Sequence, residues 1–230
     1  MASPITHIVL AEKIYSKFFK NKNRQEFFIG TNFPDIRYLG VISREKTHLK
    51  GFEINDLALE NSFFAGFKFH CLLDRKRHKF LLKNLSEFKK EKTFFESKLF
   101  LNPVLANRAL KLFEDEVLYN RVANWEEHIS FLDKILPLEL EFGIKEQRIR
   151  EWHKAFQNYF SQKPGKRSRE EFLNAISLPK EDIEKINSTV EGFKKGDSTE
   201  KMTNKLYNCF ERIIEVSEAP KYNEFEGLLL

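Results

Sequence analysis

One stretch constrains this chain more than any other: Asn61 to Asn84, NSFFAGFKFHCLLDRKRHKFLLKN. Phe64, Phe67, Cys71, Leu72, Leu73 and Leu81 make it apolar round most of a helical circumference, yet it carries His70, Asp74 and His78 at steps of four. An α-helix turns about 100° per residue, so this spacing gathers three side chains within roughly 80° of one face. A helix that is apolar nearly all round belongs in an interior. A carboxylate inside it needs a partner, because an unpaired buried charge is strongly destabilising. The ordinary partners are Arg75, Arg77 or a neighbouring imidazole; the alternative is a metal ion.

The rest of the text is helical, and no alternating strand pattern appears. The expected fold is all-α: one multi-helix domain with a buried central helix. At 230 residues the chain is long enough to bury a core without staples. The break at Gln162 to Lys166, with Pro164-Gly165, divides it into a helical domain over 1–162 and a helical extension over 163–230 packed on it. Ser3-Pro4 reads as N-cap and first residue of a helix reaching Lys20, whose inward stripe includes His7. A short helix over about Arg24 to Ile29 ends at Gly30, and Thr31 to Arg37 reads as a loop containing Asp35. Beyond the central helix, periodicity predicts helices at 92–100, 103–121, 124–136, 146–161, 168–177, 180–194 and 198–217. Asn102-Pro103 marks one of these starts, and Ser168 to Glu171 reads as a capping box.

Composition narrows the function classes. Cys71 and Cys209 are isolated, which suggests free thiols in a reducing compartment rather than a disulfide framework. The opening residues place a histidine and a glutamate where a signal peptide needs an apolar run, and no stretch is long enough for a transmembrane segment, so the expected localisation is cytoplasmic. The net charge of +5 is spread along the chain and gives no clear nucleic-acid binding signature. The 24 Phe mostly follow helical periodicity and read as core. Phe193, Phe210, Phe225 and Leu228 to Leu230 are candidates for a protein partner surface at the C-terminal helices.

Four of the six histidines precede residue 80, interleaved with acids in the order His7, Asp35, His48, His70, Asp74. Mixed imidazole and carboxylate ligands suit borderline and hard divalent ions. Arg37 and Arg44 add two fixed positive charges beside this acid and histidine, able to meet a phosphate or to pair with Glu45.

These pieces resemble the zinc-dependent phospholipase C family and its relatives, the zinc-dependent single-strand nucleases. The matching residues are Thr6-His7, GTNFPDIR from Gly30 to Arg37, Thr47-His48 and His70-Cys71-Leu72-Leu73-Asp74, covering roughly the first 80 residues. The resemblance implies a helical fold with a zinc cluster. Asp35, His48, His70 and Asp74 would hold one ion, Asp74 would bridge to another, and His7 would join that neighbour. It implies a metal-dependent phosphoric-ester hydrolase using Zn, with Mn or another divalent metal as alternatives. Asp35 or Asp74 would double as ligand and general base, and Arg44 or Arg37 would steady the developing negative charge as a catalytic residue. The substrate would be a phosphate ester, either a lipid head group or a nucleotide.

The chain also departs from that pattern. The secreted enzymes begin at a metal-binding tryptophan amine, whereas this sequence begins Met1-Ala2. His78 comes too early for the next family histidine, His128 lacks a glutamate four residues on, and His153 has no acid there either. These differences favour a one-ion centre at Asp35, His48, His70 and Asp74. They also keep open a non-catalytic helical binding protein that retains the fold and a structural metal. A phosphohydrolase of the HD type is the weaker reading, because its adjacent His-Asp pair is missing.

Overall fold

Two glycines set the architecture. In the computed structural model, which describes residues 3–88 and 103–216, Gly30 and Gly66 face each other where α2 (Arg24–Asn32) crosses α4 (Ser62–Phe88). A Cβ on Gly30 would lie 2.1 Å from the Phe63 carbonyl oxygen, and one on Gly66 would lie 1.9 Å from the Phe27 carbonyl oxygen. Only glycine permits so close a backbone approach. Phe27, Phe33, Phe63, Phe67 and Phe69 fill the space beside the contact and are fully buried.

The described residues are mostly helical, with no strand. The first helix, α1 (Pro4–Phe18), packs on α2 and α4. A 3-10 turn over Phe33–Leu39 follows α2 directly and stops at Gly40, whose φ of 70° suits glycine. Next come the single turn α3 (Arg44–Thr47) and a second 3-10 segment, Ile54–Leu59, before α4 begins. Asn61 caps α4, its Oδ1 accepting the Phe64 N–H at 2.8 Å. Beyond residue 102 are α5 (Pro103–Leu118), a 3-10 turn (Tyr119–Arg121), α6 (Trp125–Phe131), α7 (Pro137–Leu140) and α8 (Glu146–Phe160). The C-terminal group is α9 (Lys166–Ala175), α10 (Lys180–Phe193) and α11 (Asp197–Glu215).

The C-terminal group packs back on the rest: α10 against α5, and α11 against α1, α4 and α5. Arg169 is fully buried and ties α9 to both α5 and α10. It donates to Glu116 at 2.6 Å, to Glu191 at 2.8 Å and to Asn187 Oδ1 at 3.0 Å. Phe193 and Phe210, expected as partner surface, belong to this shared core at 4% and 0% exposure. Phe225 and Leu228 to Leu230 lie outside the described residues, as do the helix expected at 92–100 and the cap at Asn102.

Several boundaries differ from the sequence expectation for identifiable reasons. Gly30 does not end α2, because its role is close packing rather than a turn. Thr31 to Arg37 is accordingly helical, first α and then 3-10, and not a loop. Gly165, not Ser168, is the N-cap of α9; the Ser168 hydroxyl reaches back to accept the Gly165 N–H at 2.8 Å. Ser3 does not cap α1 with its own side chain, and Asp115 of α5 performs that task across the fold. The span 124–136 breaks after Phe131, with a short α7 beginning at Pro137. Cys71 and Cys209 are free thiols, and among the described residues no helix is long and apolar enough to cross a membrane.

The crossing makes an unusual prediction. Gly→Ala inside a helix ordinarily stabilises by up to about 1 kcal/mol, but Gly66→Ala should destabilise by on the order of 3 kcal/mol or more through forced separation of α2 and α4. Gly196→Ala, with nothing within 4 Å of the new Cβ, should cost less than about 1 kcal/mol. Urea unfolding of the two variants checks the contrast; equal midpoints would mean the crossing is not close-packed in solution.

Candidate metal centre

The same crossing brings His70 to the 3-10 turn. Its Nδ1 meets the Thr31 carbonyl oxygen at 2.9 Å, and Asp35 stands one turn beyond Thr31. A carbonyl only accepts, so Nδ1 carries the proton and the Nε2 lone pair of the neutral ring faces the opposite way. His7 is arranged alike, with Nδ1 2.7 Å from the Ser3 carbonyl oxygen. His48 follows α3, and its Nδ1 lies 3.0 Å from the Thr47 hydroxyl. The turn carrying Asp35 is pinned from outside by α8, where Trp152 donates to the Asn32 carbonyl at 3.4 Å and Arg148 to the Leu39 carbonyl at 3.0 Å.

All three Nε2 atoms converge on two carboxylates. His70 Nε2 is 3.7 Å from Asp35 and 4.0 Å from Asp74 Oδ2. His48 Nε2 is 3.8 Å from Asp35 and 3.9 Å from Asp74 Oδ2. His7 Nε2 is 3.5 Å from Asp74 Oδ1, and the His7 and His70 rings stack with centroids 4.0 Å apart. These separations exceed hydrogen-bond length. His7 Nε2, His48 Nε2, His70 Nε2 and Asp35 Oδ2 are buried without a hydrogen-bond partner. So many orphaned atoms gathered around two carboxylates require explanation, since buried polar atoms are nearly always satisfied.

Ligand atoms about 2.1 Å from a tetrahedral ion stand about 3.4 Å from one another. The distances from the two imidazoles to Asp35 (Oδ2 toward His70, Oδ1 toward His48) and to Asp74 Oδ2, 3.7–4.0 Å, are a few tenths of an ångström longer than that; one ligand atom each of Asp35, His48 and His70 lie within 4.8 Å of one another, as do those of His7, His70 and Asp74. Each Nδ1 is held by an oxygen, the kind of contact that orients imidazoles in metal sites. Divalent zinc fits this donor set, and so does manganese.

Electrostatics prepare the ligands. Burial lowers His48 to about 4, although Asp35 and Asp74 pull the other way. Burial, and then the His7 ring, lowers His70 well below its ordinary value. Both are therefore neutral at physiological pH, the form that ligates metal. Burial opposes ionisation of Asp35, but His70, His48 and Arg37 together hold it below the usual carboxylate range. Asp74 is likewise held low against burial, chiefly by Lys111.

Arg37 stacks on Tyr38, and its buried Nε makes no hydrogen bond but pairs with Asp35 at 3.7 Å. Arg44 is exposed on α3, and Arg108 of α5 is half-buried. Both guanidiniums act on Arg37, which burial and their repulsion lower against the pull of Asp35.

The other histidines are elsewhere. His78, one turn beyond Asp74 on the same helix, is exposed and belongs to none of the groups that could hold an ion among the described residues. His128 faces Glu12 at 2.7 Å, in a group with Glu127 that Arg24 already bridges. His153 pairs with the fully buried Glu139 at 2.8 Å. The nearby arginines do not neutralise Asp74: Arg77 binds Glu114 at 2.7 Å and Arg75 binds Glu53 at 3.2 Å.

Sequence reasoning missed two residues of α5. Lys111 donates to Asp74 Oδ1 at 2.9 Å and is 6% exposed. Asp115, one turn on, uses Oδ1 to accept the Thr6 N–H at 2.7 Å, the Thr6 hydroxyl at 2.8 Å and the Ser3 hydroxyl at 2.9 Å. It thereby fixes the end of α1 that carries His7. The available signal was a charged i, i+4 pair running into Leu118 on the buried side of an otherwise amphipathic helix. No family model, curated protein or solved structure matches the chain.

Asp115 supplies a pH test. Burial pushes its carboxyl up to about 7 against those three donors. A raised acid pKa favours the folded state at low pH, and this contribution is lost as pH climbs from about 4 to about 7. Asp115→Asn does not titrate, so its stability should gain on the wild type across that interval, by on the order of a few kcal/mol, and run parallel above it. A pH-independent difference between their urea midpoints would show Asp115 to be ionised throughout.

Proposed function

We propose that the protein is a metal-dependent phosphoric-ester hydrolase, similar in its metal centre to the zinc-dependent phospholipase C family. The observation that carries this reading is the set of three buried, unpartnered Nε2 atoms directed at two carboxylates. A bland polar cluster would have closed those gaps with hydrogen bonds.

Asp35, His48, His70 and Asp74 would hold the ion. When bound, a divalent ion supplies Lewis acidity to a phosphoryl oxygen and lowers the pKa of water near it. The net reaction adds water to phosphorus, releases the ester oxygen as an alcohol and leaves the phosphate with the remaining proton accounted for by solvent or a carboxylate. Asp74 is the ligand nearest the exterior, with its side chain 22% exposed against 3% for Asp35. Substrate would therefore approach on the Asp74 side, and Asp74 is the better placed carboxylate to take a proton from water.

Arg37 supports the choice of a phosphate ester over an uncharged substrate. Its Nε makes no hydrogen bond although it faces Asp35 at 3.7 Å, and the neighbouring charges of Arg44 and Arg108 add to a positive rim that favours an anion. Arg37 would steady charge developing on the phosphoryl oxygens, with Arg44 in an outer, solvent-exposed role. The burial of Asp35 and His70 favours the second reading, a binding protein with a structural ion, and activity decides between them.

Chelator-stripped protein reloaded with Zn²⁺ or Mn²⁺ should hydrolyse bis(p-nitrophenyl) phosphate, and Asp35→Asn should lose at least about 100-fold with its fold intact. Metal should also raise the melting temperature by several degrees at a hundredfold excess over Kd, which corresponds to about 2.7 kcal/mol. His70→Ala should abolish that rise. A metal-dependent rise with no turnover would favour the structural reading, and a melting curve indifferent to metal and chelator would remove both.

A further inference from the structure

The two oxygens of Asp74 serve different neighbours. Oδ2 faces His48 and His70 at 3.9 and 4.0 Å, on the side shared with Asp35. Oδ1 faces away from that pair, toward His7 Nε2 at 3.5 Å and Lys111 Nζ at 2.9 Å. A carboxylate divided in this manner could serve two neighbouring cations, as carboxylates do in two-ion centres. Here one of the two positions already holds a cation that belongs to the chain.

We propose that the Lys111 ammonium stands where a second ion would bind, so that the centre takes one divalent ion and uses lysine as its built-in second charge. This rests on the metal reading above and adds the stoichiometry of the site. Lys111 cannot readily leave. Its side chain is 8% exposed, and its own carbonyl accepts the Ser3 hydroxyl at 3.1 Å. One turn later Asp115 accepts the Thr6 N–H, so α5 is fastened to α1 at the lysine and again one turn beyond it. An ammonium is a compact charge with three donors, able to bond Asp74 Oδ1 and to repel any ion approaching that oxygen. His7 is then no ligand of the resident ion. Its Nε2 looks onto the lysine side of Asp74, and its ring supports His70 by stacking.

Counting ions tests this without reference to turnover. The full chain, stripped with chelator, is dialysed against Zn²⁺ and desalted, and zinc per chain is measured by mass spectrometry with circular dichroism as the folding control. The wild type should hold one ion. Lys111→Met, close in length but uncharged, frees Oδ1 and His7 and should hold two, the second more weakly. The double variant Lys111→Met with His7→Gln should return to one. Lys111→Arg keeps the charge and should stay at one. With Mn²⁺, the Lys111→Met protein should lose its isolated six-line resonance in favour of a coupled pair.

Two ions in the wild type would overturn the proposal while leaving the metal centre standing. So would a folded Lys111→Met protein that still takes one, or a Lys111→Arg protein that takes two. No ion in the wild type would overturn the metal reading itself. Should Lys111→Met fail to fold, the wild-type and Lys111→Arg counts still decide.

Discussion

The contact between Gly30 and Gly66 governs most of what this fold can do. With carbonyl oxygens where side chains would otherwise stand, α2 and α4 approach until His70 bonds the Thr31 carbonyl directly. That bond spans two elements, fixes a tautomer and aims a lone pair at Asp35 one turn away. Separating the helices by even the width of a methyl group would break it. Backbone proximity, rather than any single ligand, is therefore what makes a cage of these residues.

The opposite wall is built by a different rule. The seam between α4 and α5 is bridged by long charged side chains: Asp74 with Lys111 and Arg77 with Glu114, both at an offset of 37 residues. Glu114 is completely buried and Arg77 nearly so, which makes removal of either partner alone far more costly than replacing both. Such pairs contribute register more than net stability. They hold α5 at the height where Lys111 meets Asp74 and Asp115 meets the start of α1.

Much of this was legible in the sequence where short-range chemistry decides. The all-α class follows from unbroken helical periodicity, and the central helix appears within a few residues of its place because Asn61 caps it. His7, Asp35, His48, His70 and Asp74 could be named from residue type and order, and the fold brings them together. Features depending on the third dimension were not legible. Gly30 resembles a helix stop unless Gly66 is known to oppose it. Phe193 and Phe210 look available until α10 and α11 are packed on α4 and α5. Lys111 reads as an ordinary surface lysine because its partner lies on another helix.

A charge count shows why that omission matters. Asp35 and Asp74 bring two negative charges to the buried centre, and Arg37 and Lys111 offset them within 3.7 and 2.9 Å. The protein can thus bury both carboxylates without an ion, so the fold does not depend on one. On the proposed reading, a bound divalent ion turns a nearly neutral site into one with about two excess positive charges in a low-dielectric pocket. A second ion beside Lys111 would add two more against no further carboxylate. Restoring neutrality falls instead to an incoming anion, and Arg44 and Arg108 stand beside Arg37 to attract it. On that reading, the balance that would limit the centre to one ion would also favour a phosphate ester as its partner.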